Sequence, residues 1–147
     1  MGLIQAVGKG PVALDSAIFI YVVEQHPRYL PLLRPLFVHI DGGEVQAVTS
    51  ALTLMETLVV PYRAGNRELA AQYEAILTNG RGLSLAPIDL RVVRLAAEIR
   101  ASTSLRTPDA MHLATALLNG CTTFLTNDRR LPALRGLKVL HLDTFAE

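Results

Sequence analysis

The chain has 147 residues, of which half are hydrophobic, and a formal net charge of +1 at pH 7. This length and composition fit one folded domain with a real core and argue against disorder. They also argue against a membrane protein, because no apolar stretch reaches the ~18 residues of a span. The N-terminus lacks a signal-peptide pattern, and the lone Cys121 excludes an internal disulfide and a cysteine metal cluster. We expect one soluble, cytoplasmic domain over residues 1–147, in which Cys121 is a small core residue.

Taken in chain order, short apolar strands alternate with helices. Residues 45–49 and 51–63, for example, form a predicted strand and the helix that follows it. The predicted strands are 12–15, 45–49, 83–86, 122–126 and 137–142, and the predicted helices are 17–25, 29–38, 51–63, 67–78, 90–102 and 107–118. Ser50 and Asp89 are good N-cap residues, and Pro108 suits a first helical turn. This alternation is typical of a parallel sheet that helices cover on both faces.

Four acidic residues, Asp15, Glu56, Asp109 and Asp128, stand in stretches that are otherwise apolar. Asp15 and Asp128 follow predicted strands, whereas Asp109 and Glu56 lie in the early turns of predicted helices. Ligands of open parallel sheets bind beyond the carboxyl ends of the strands, so the four acids can converge at one edge. Converging carboxylates repel one another, and oxygen ligands of this kind suit Mg²⁺ or Mn²⁺. The sequence therefore predicts a divalent-cation site.

Each acid also has a purely local explanation. Asp15 could cap the first long helix, and Asp109 could favour the positive end of its own helix. Asp128 could close a turn, and Glu56 could lie on a solvated helix face. All four local explanations would have to hold together for the cation site to be absent.

Four segments of the chain together resemble the PIN-domain family. The most specific is Leu105-Arg106-Thr107-Pro108-Asp109-Ala110-Met111-His112, which continues to residue 116. The others are residues 12–16, 49–56 and 124–128, and the resemblance extends over about residues 11–142. It implies a single PIN-like domain, an α/β/α sandwich with a short, mainly parallel central sheet flanked by helices. Among single-domain PIN proteins, the chain is similar to the VapC-type toxins of VapBC toxin–antitoxin pairs.

The resemblance implies a metal-dependent endoribonuclease that is usually dimeric and is neutralised by a small antitoxin protein. It assigns Asp15, Glu56, Asp109 and Asp128 as catalytic residues. Asp15, Asp109 and Asp128 are the expected ligands of Mg²⁺ or Mn²⁺, directly or through water, and Glu56 could orient the attacking water. RNA is the expected substrate, although the chemistry itself does not exclude DNA.

Ser16, Thr126 and Asn127 resemble the residues that surround such a site. Their hydroxyl and amide groups could fix the carboxylate rotamers or a water on the metal. Simple capping of nearby backbone groups explains them equally well.

Two arginines, Arg106 and Arg129, flank the acids in the sequence. They could contact RNA phosphates, pair with the carboxylates in the absence of metal, or be ordinary exposed residues. His112 is expected to be a packed helix residue rather than a catalytic one.

Two other classes of protein compete with the nuclease interpretation. One is a non-catalytic PIN-like module that binds RNA or acts as a scaffold, and retention of all four acids argues against it. The other is a phosphotransfer α/β protein. It is disfavoured because Ala17 occupies the position at which a dehalogenase-type site has a second aspartate, and because lysine is scarce beyond Lys9.

Overall fold

A five-stranded parallel sheet forms the centre of the molecule, in the strand order β3-β2-β1-β4-β5. The computed structural model describes residues 1–146, which leaves only Glu147, the end of the predicted domain, outside the described residues. The strands are β1 (Val12–Leu14), β2 (Ala47–Ser50), β3 (Leu83–Ala86), β4 (Thr123–Thr126) and β5 (Lys138–His141). The predicted parallel sheet is confirmed, with small shifts at the strand ends.

Seven α-helices and one short 3-10 helix complete residues 1–146. They are α1 (Leu3–Val7), α2 (Ser16–Val23), α3 (Leu30–Asp41), α4 (Ala51–Arg63), α5 (Arg67–Thr78), α6 (Leu90–Ser102), α7 (Thr107–Leu118) and the 3-10 helix Leu142–Phe145. The predicted bounds of α4 and α5 are confirmed. So are the predicted N-caps, because the side chains of Ser50 and Asp89 accept the backbone N–H groups of Leu52 and Val92.

Three details of the helices differ from the sequence prediction. Helix α1 was not predicted, because five residues are too few to show a helical period. Helix α2 ends at Val23 rather than at Gln25, since Gln25 has a positive φ of 55° that cannot continue a helix. Helix α3 extends to Asp41, three residues beyond its predicted end at Val38, because Ile40 packs into the core.

Both faces of the sheet are buried, as β1 illustrates. Val12 and Leu14 pack on one face in a cluster that includes residues of α1, α2 and α3. Ala13 packs on the opposite face in a second cluster that is built mainly from α6 and α7. Successive side chains of a strand point to opposite faces, so a fully buried strand requires helices on both sides. The predicted α/β/α sandwich is confirmed.

The structure also bears on two features of the composition, the lone cysteine and the apolar segments. Cys121 is buried in the second cluster, and burial raises the pKa of its thiol to about 11. It is therefore a core residue, as predicted. No helix within residues 1–146 is long and apolar enough to cross a membrane.

The close approach of α3 to the start of β3 makes Gly82 irreplaceable by a larger residue. A Cβ atom at Gly82 would lie 2.0 Å from the backbone oxygen of Ile40, which cannot move without shifting the helix. We expect Gly82→Ala to lower the free energy of unfolding by about 2 kcal/mol or more, as overpacking does. Urea unfolding measures the change, with Ser84→Ala at an exposed position of β3 as the control. Equal stability of the two variants would contradict the predicted clash.

Candidate active site

The pairing of β1 with β4 fixes the position of Asp15. Leu14 lies opposite Leu125 in the parallel register, and the backbone N–H of Asp15 donates to the Leu125 oxygen at 3.3 Å. The Asp15 carboxylate then accepts two hydrogen bonds, one from the Thr126 hydroxyl and one from the backbone N–H of Ala17 at 3.0 Å. Asp15 is thus the N-cap of α2, and its carboxylate has one defined orientation.

Burial raises the pKa of the Asp15 carboxyl above its ordinary value of 3.8. The Thr126 hydroxyl, the positive potential of His112 and the backbone N–H groups of Ile18 and Ala17 all act in the opposite direction, but less strongly. No lysine or arginine within residues 1–146 forms an ion pair with this carboxylate. Burial therefore disfavours the ionised form of Asp15.

The four predicted acids, Asp15, Glu56, Asp109 and Asp128, line one cavity of about 300 Å³. They come from separate elements, namely the end of β1, helix α4, the first turn of α7 and the loop after β4. A larger cavity of about 520 Å³, with mainly apolar walls, lies between α2, α3, α5 and β3 and contains none of the predicted site residues. The acidic cavity is therefore the candidate active site.

His112 joins Glu56 across the wall of this cavity. Its Nε2 atom lies 2.6 Å from Oε1 of Glu56, and only 7% of the residue is exposed. His112 is a packed helix residue, as the sequence predicted, but it also holds a carboxylate of the candidate site. The signal that could have found it is its position three residues after Asp109, on the same face of α7.

Asp128 is paired with an arginine that the sequence analysis did not select. Nε and Nη2 of Arg130 donate to the two carboxylate oxygens of Asp128 at 2.9 and 2.7 Å. These hydrogen bonds, together with the charges of Arg130 and Arg106, lower the pKa of Asp128 below its ordinary range. Arg129 instead pairs with Asp143 at 3.6 Å. Of the two arginines considered from sequence, only Arg106 therefore acts electrostatically on a site carboxylate.

The three residues expected around the acids behave differently from one another. Thr126 donates to Asp15, as described above. Asn127 lines the cavity but bonds elsewhere, to the Tyr21 hydroxyl at 3.3 Å and to the backbone N–H of Asp143 at 2.8 Å. Ser16 also lines the cavity. Among these three residues, the hydrogen bonds link only Thr126 to a site carboxylate.

The donor set of the cavity fits a hard divalent cation in type, since it consists of carboxylate oxygens. Asp15 and Asp109 have no cationic partner in the described part of the chain, whereas His112 and Arg130 hold Glu56 and Asp128. Over the described residues, no three carboxylate, imidazole or thiol groups are close enough together to hold one ion. Binding of one ion by three of these carboxylates would therefore require their side chains to move closer together.

Several solved structures share this fold. VapBC2 from Rickettsia felis, bound to a promoter DNA fragment, has a TM-score of 0.69 at 14% identity, over 88% of this chain and 97% of that chain. DNA-bound VapBC from Salmonella typhimurium has a TM-score of 0.64 at 20% identity, over 89% and 97%. The toxin VapC20 from Mycobacterium tuberculosis, which cleaves the sarcin-ricin loop, has a TM-score of 0.62 at 15% identity, over 77% and 86%.

The sequence itself also identifies the family. A model of the PIN domain matches residues 12–137, which include all four acids of the cavity. A search of curated protein sequences gave no match. The chain belongs to the PIN domain family.

We expect Asp15→Asn to raise the melting temperature at pH 7. Because the pKa of Asp15 is raised in the folded state, its ionisation stabilises the unfolded state more than the folded one, and stability falls as the pH rises through this pKa. Asparagine avoids this penalty and still caps a helix well. The difference between the two proteins should disappear below the ordinary pKa of 3.8, where the wild-type carboxyl is neutral in both states.

Thermal denaturation in metal-free buffer between pH 3 and pH 8 measures this difference. Asp41→Asn, at an exposed carboxylate of α3, is the matched control and should change the melting temperature little at any pH. A lower melting temperature for Asp15→Asn at pH 7 would show that the ionised carboxylate stabilises the fold.

Proposed function

We propose that this protein is a metal-dependent endoribonuclease and the toxin component of a type II toxin–antitoxin pair. The observation that carries the proposal is the single cavity lined by Asp15, Glu56, Asp109 and Asp128. Membership of the PIN domain family and the fold shared with VapC proteins support it. RNA is favoured as the substrate because one protein of the same fold, VapC20, cleaves the sarcin-ricin loop.

In this proposal Asp15, Asp109 and Asp128 hold one or two ions of Mg²⁺ or Mn²⁺. Such an ion would lower the pKa of a water molecule and neutralise negative charge that develops on the phosphate. Asp15 is oriented for this role by Thr126 and the backbone of Ala17. Asp128 would exchange part of its pairing with Arg130 for the cation.

Glu56 orients the attacking water in the proposed reaction. Its carboxylate can do so because His112 occupies one oxygen, Oε1, and thereby fixes the direction of the other. In-line attack on the phosphodiester bond leaves a 5′-phosphate and a 3′-hydroxyl. Ser16 and Asn127 line the same cavity and would contact the water or the phosphate rather than the carboxylates.

Arg106 and Arg129 are the proposed contacts to RNA phosphates outside the cavity. Both are exposed, and a guanidinium group matches the geometry of a phosphate well. Arg106 stands at the N-terminus of α7, directly before the turn that carries Asp109. The pairing of Arg129 with the partly exposed Asp143, at 3.6 Å, is weak enough to yield to a phosphate.

The proposed partners are a second copy of the chain and a small antitoxin protein, in the cytoplasm. Helix α4 offers exposed apolar residues for such contacts, since Met55 is 57%, Val60 67% and Tyr62 58% exposed. Apolar surface of this kind marks protein interfaces when it is contiguous. The VapBC structures of the same fold contain an antitoxin, which supports the second partner.

Cleavage of a panel of RNAs tests the proposal. Purified protein with Mn²⁺ or Mg²⁺ should cut total RNA or tRNA into discrete fragments that carry 5′-phosphates. EDTA and Asp15→Asn should each abolish the fragments, because one removes the cation and the other removes its ligand. Asp41→Asn, which removes an exposed carboxylate remote from the cavity, should cut as the wild type does.

Metal binding provides a second readout that does not require the correct RNA. Mn²⁺ should raise the melting temperature of the wild type and leave that of Asp15→Asn unchanged. An ion that binds only the folded state stabilises it, and tighter binding stabilises it more. Stabilisation by Mn²⁺ without cleavage of any RNA would instead support a non-catalytic RNA-binding or scaffold module. Cleavage that survives in Asp15→Asn would refute the metal mechanism.

The contact between His112 and Glu56 predicts a separate effect on rate. His112→Leu removes the donor and should lower kcat about tenfold or more with little change in KM, since positioned proton-transfer groups contribute factors of this size. His112→Gln places an amide N–H near the same oxygen and should restore much of the rate. If His112→Leu turned over like the wild type, Glu56 would not depend on this hydrogen bond.

A further inference from the structure

Three aromatic side chains form a connected group at the edge of the acidic cavity, which we call the aromatic shelf: Tyr21, His26 and Tyr29. The ring centroids of Tyr21 and Tyr29 are 4.7 Å apart, and His26 stacks on Tyr29 at 4.6 Å. All three residues are partly exposed rather than buried. The shelf is thus a rigid, partly solvated apolar surface, unlike the aromatic residues of the core.

The shelf is continuous with the candidate active site. Tyr21 lines the acidic cavity, and its hydroxyl accepts a hydrogen bond from Asn127, which lines the same cavity. Asn127 follows Thr126, the residue that donates to Asp15. A strand of nucleic acid that crosses the carboxylates would therefore pass next to Tyr21.

Two arginines accompany the shelf, and they outnumber the acid beside them. The Arg28 guanidinium lies 5.7 Å from the centre of the Tyr29 ring. Arg28 and Arg129 both pair with Asp143, at 3.0 and 3.6 Å, and Asp143 also accepts the Tyr29 hydroxyl at 2.9 Å. One carboxylate therefore orders two exposed guanidinium groups and a tyrosine, and the cluster keeps excess positive charge.

The loop that carries His26 and Tyr29 is held by hydrogen bonds within the chain. Nδ1 of His26 accepts the backbone N–H groups of Arg28 and Tyr29 at 3.2 and 3.4 Å. The Tyr29 hydroxyl donates a hydrogen bond to Asp143, which lies 114 residues later in the sequence. A surface organised in this way loses little conformational entropy when it binds a ligand.

We propose that the aromatic shelf stacks an unpaired base of the RNA substrate, next to the phosphate that is cut. Rings and guanidinium groups beside an acidic centre match single-stranded RNA, whose bases stack on aromatic side chains while arginines meet the phosphates. Bases inside a duplex cannot reach such a surface. The inference rests on the proposed function and narrows the substrate class to RNA with an unpaired nucleotide at the cut site.

Binding measured in a cleavage-deficient background tests the inference. Fluorescence anisotropy in Mg²⁺ buffer compares full-length Asp15→Asn protein alone and with Tyr29→Leu, Tyr29→Phe or Leu90→Ala added. The probes are a labelled single-stranded RNA, its duplex and a single-stranded DNA of the same sequence. Leu90→Ala is the control, since it removes an exposed apolar side chain of α6 that does not belong to the shelf.

Tyr29→Leu should weaken binding of single-stranded RNA about 5- to 100-fold, the range for loss of one base–aromatic stack. Tyr29→Phe keeps the ring and should bind within about twofold to threefold, even though it loses the bond to Asp143. Leu90→Ala should leave the affinity for single-stranded RNA unchanged. Arg28→Ala, at a side chain that is 54% exposed, tests the same surface while keeping all three rings, and it should weaken binding and reduce its salt dependence.

Unchanged affinity of Tyr29→Leu and Arg28→Ala for single-stranded RNA would overturn the inference while leaving the nuclease proposal intact. An equal loss of affinity for duplex RNA in these two variants would overturn it as well. So would binding of the single-stranded DNA as tight as that of the RNA, because it would remove the assignment to RNA. If the wild type cuts no RNA and the Asp15→Asn protein binds none, the proposed function fails, and the shelf proposal fails with it.

Discussion

The short parallel pairing of β1 with β4 is the constraint on which the rest of the site depends. β1 has only three residues, and all three are buried, so its register leaves no freedom for the residue that follows. That residue is Asp15, whose carboxylate emerges beside Thr126 at the end of the neighbouring strand. The fold thus tolerates a desolvated acid at the place where two buried strands end. A carboxylate that costs stability in this way indicates a functional site rather than a packing role.

Hydrogen bonds of Thr49 connect the end of β1 to helix α4. The Thr49 hydroxyl donates to the backbone oxygen of Leu14 at 2.8 Å and also meets the Thr53 hydroxyl at 2.8 Å. The first turn of α4 is therefore tied to the end of β1 inside the core. Glu56 lies one turn beyond Thr53, and His112 on α7 holds it from the other side. The positions of Asp15 and Glu56 consequently depend on hydrogen bonds between elements, not on the loops at the surface.

The architecture could be predicted from the sequence because the local signals agreed with one another. Apolar strands, helix caps such as Ser50 and Asp89, and the turn signals between them all favoured the same parallel sheet. The sequence was also sufficient to bring the four acids to one cavity, since the ends of parallel strands meet at one edge. It could not show the partners of those acids. Glu56 and His112 are separated by 56 residues, and no local pattern encodes a hydrogen bond between two helices. Arg130 was missed for a different reason, because the choice between Arg129 and Arg130 depends on the direction of one turn.

The distribution of charge explains how a nearly neutral chain can approach a polyanion. A net charge of +1 gives little long-range attraction. The acids that would oppose RNA are recessed in the cavity, however, and two of them already face His112 and Arg130. Arg28, Arg106 and Arg129 stand exposed outside it. A phosphate backbone that follows these arginines approaches the acidic centre only at one linkage, where a divalent cation would offset the repulsion. Recessed acids and exposed arginines together are thus an arrangement that the proposed endonuclease requires.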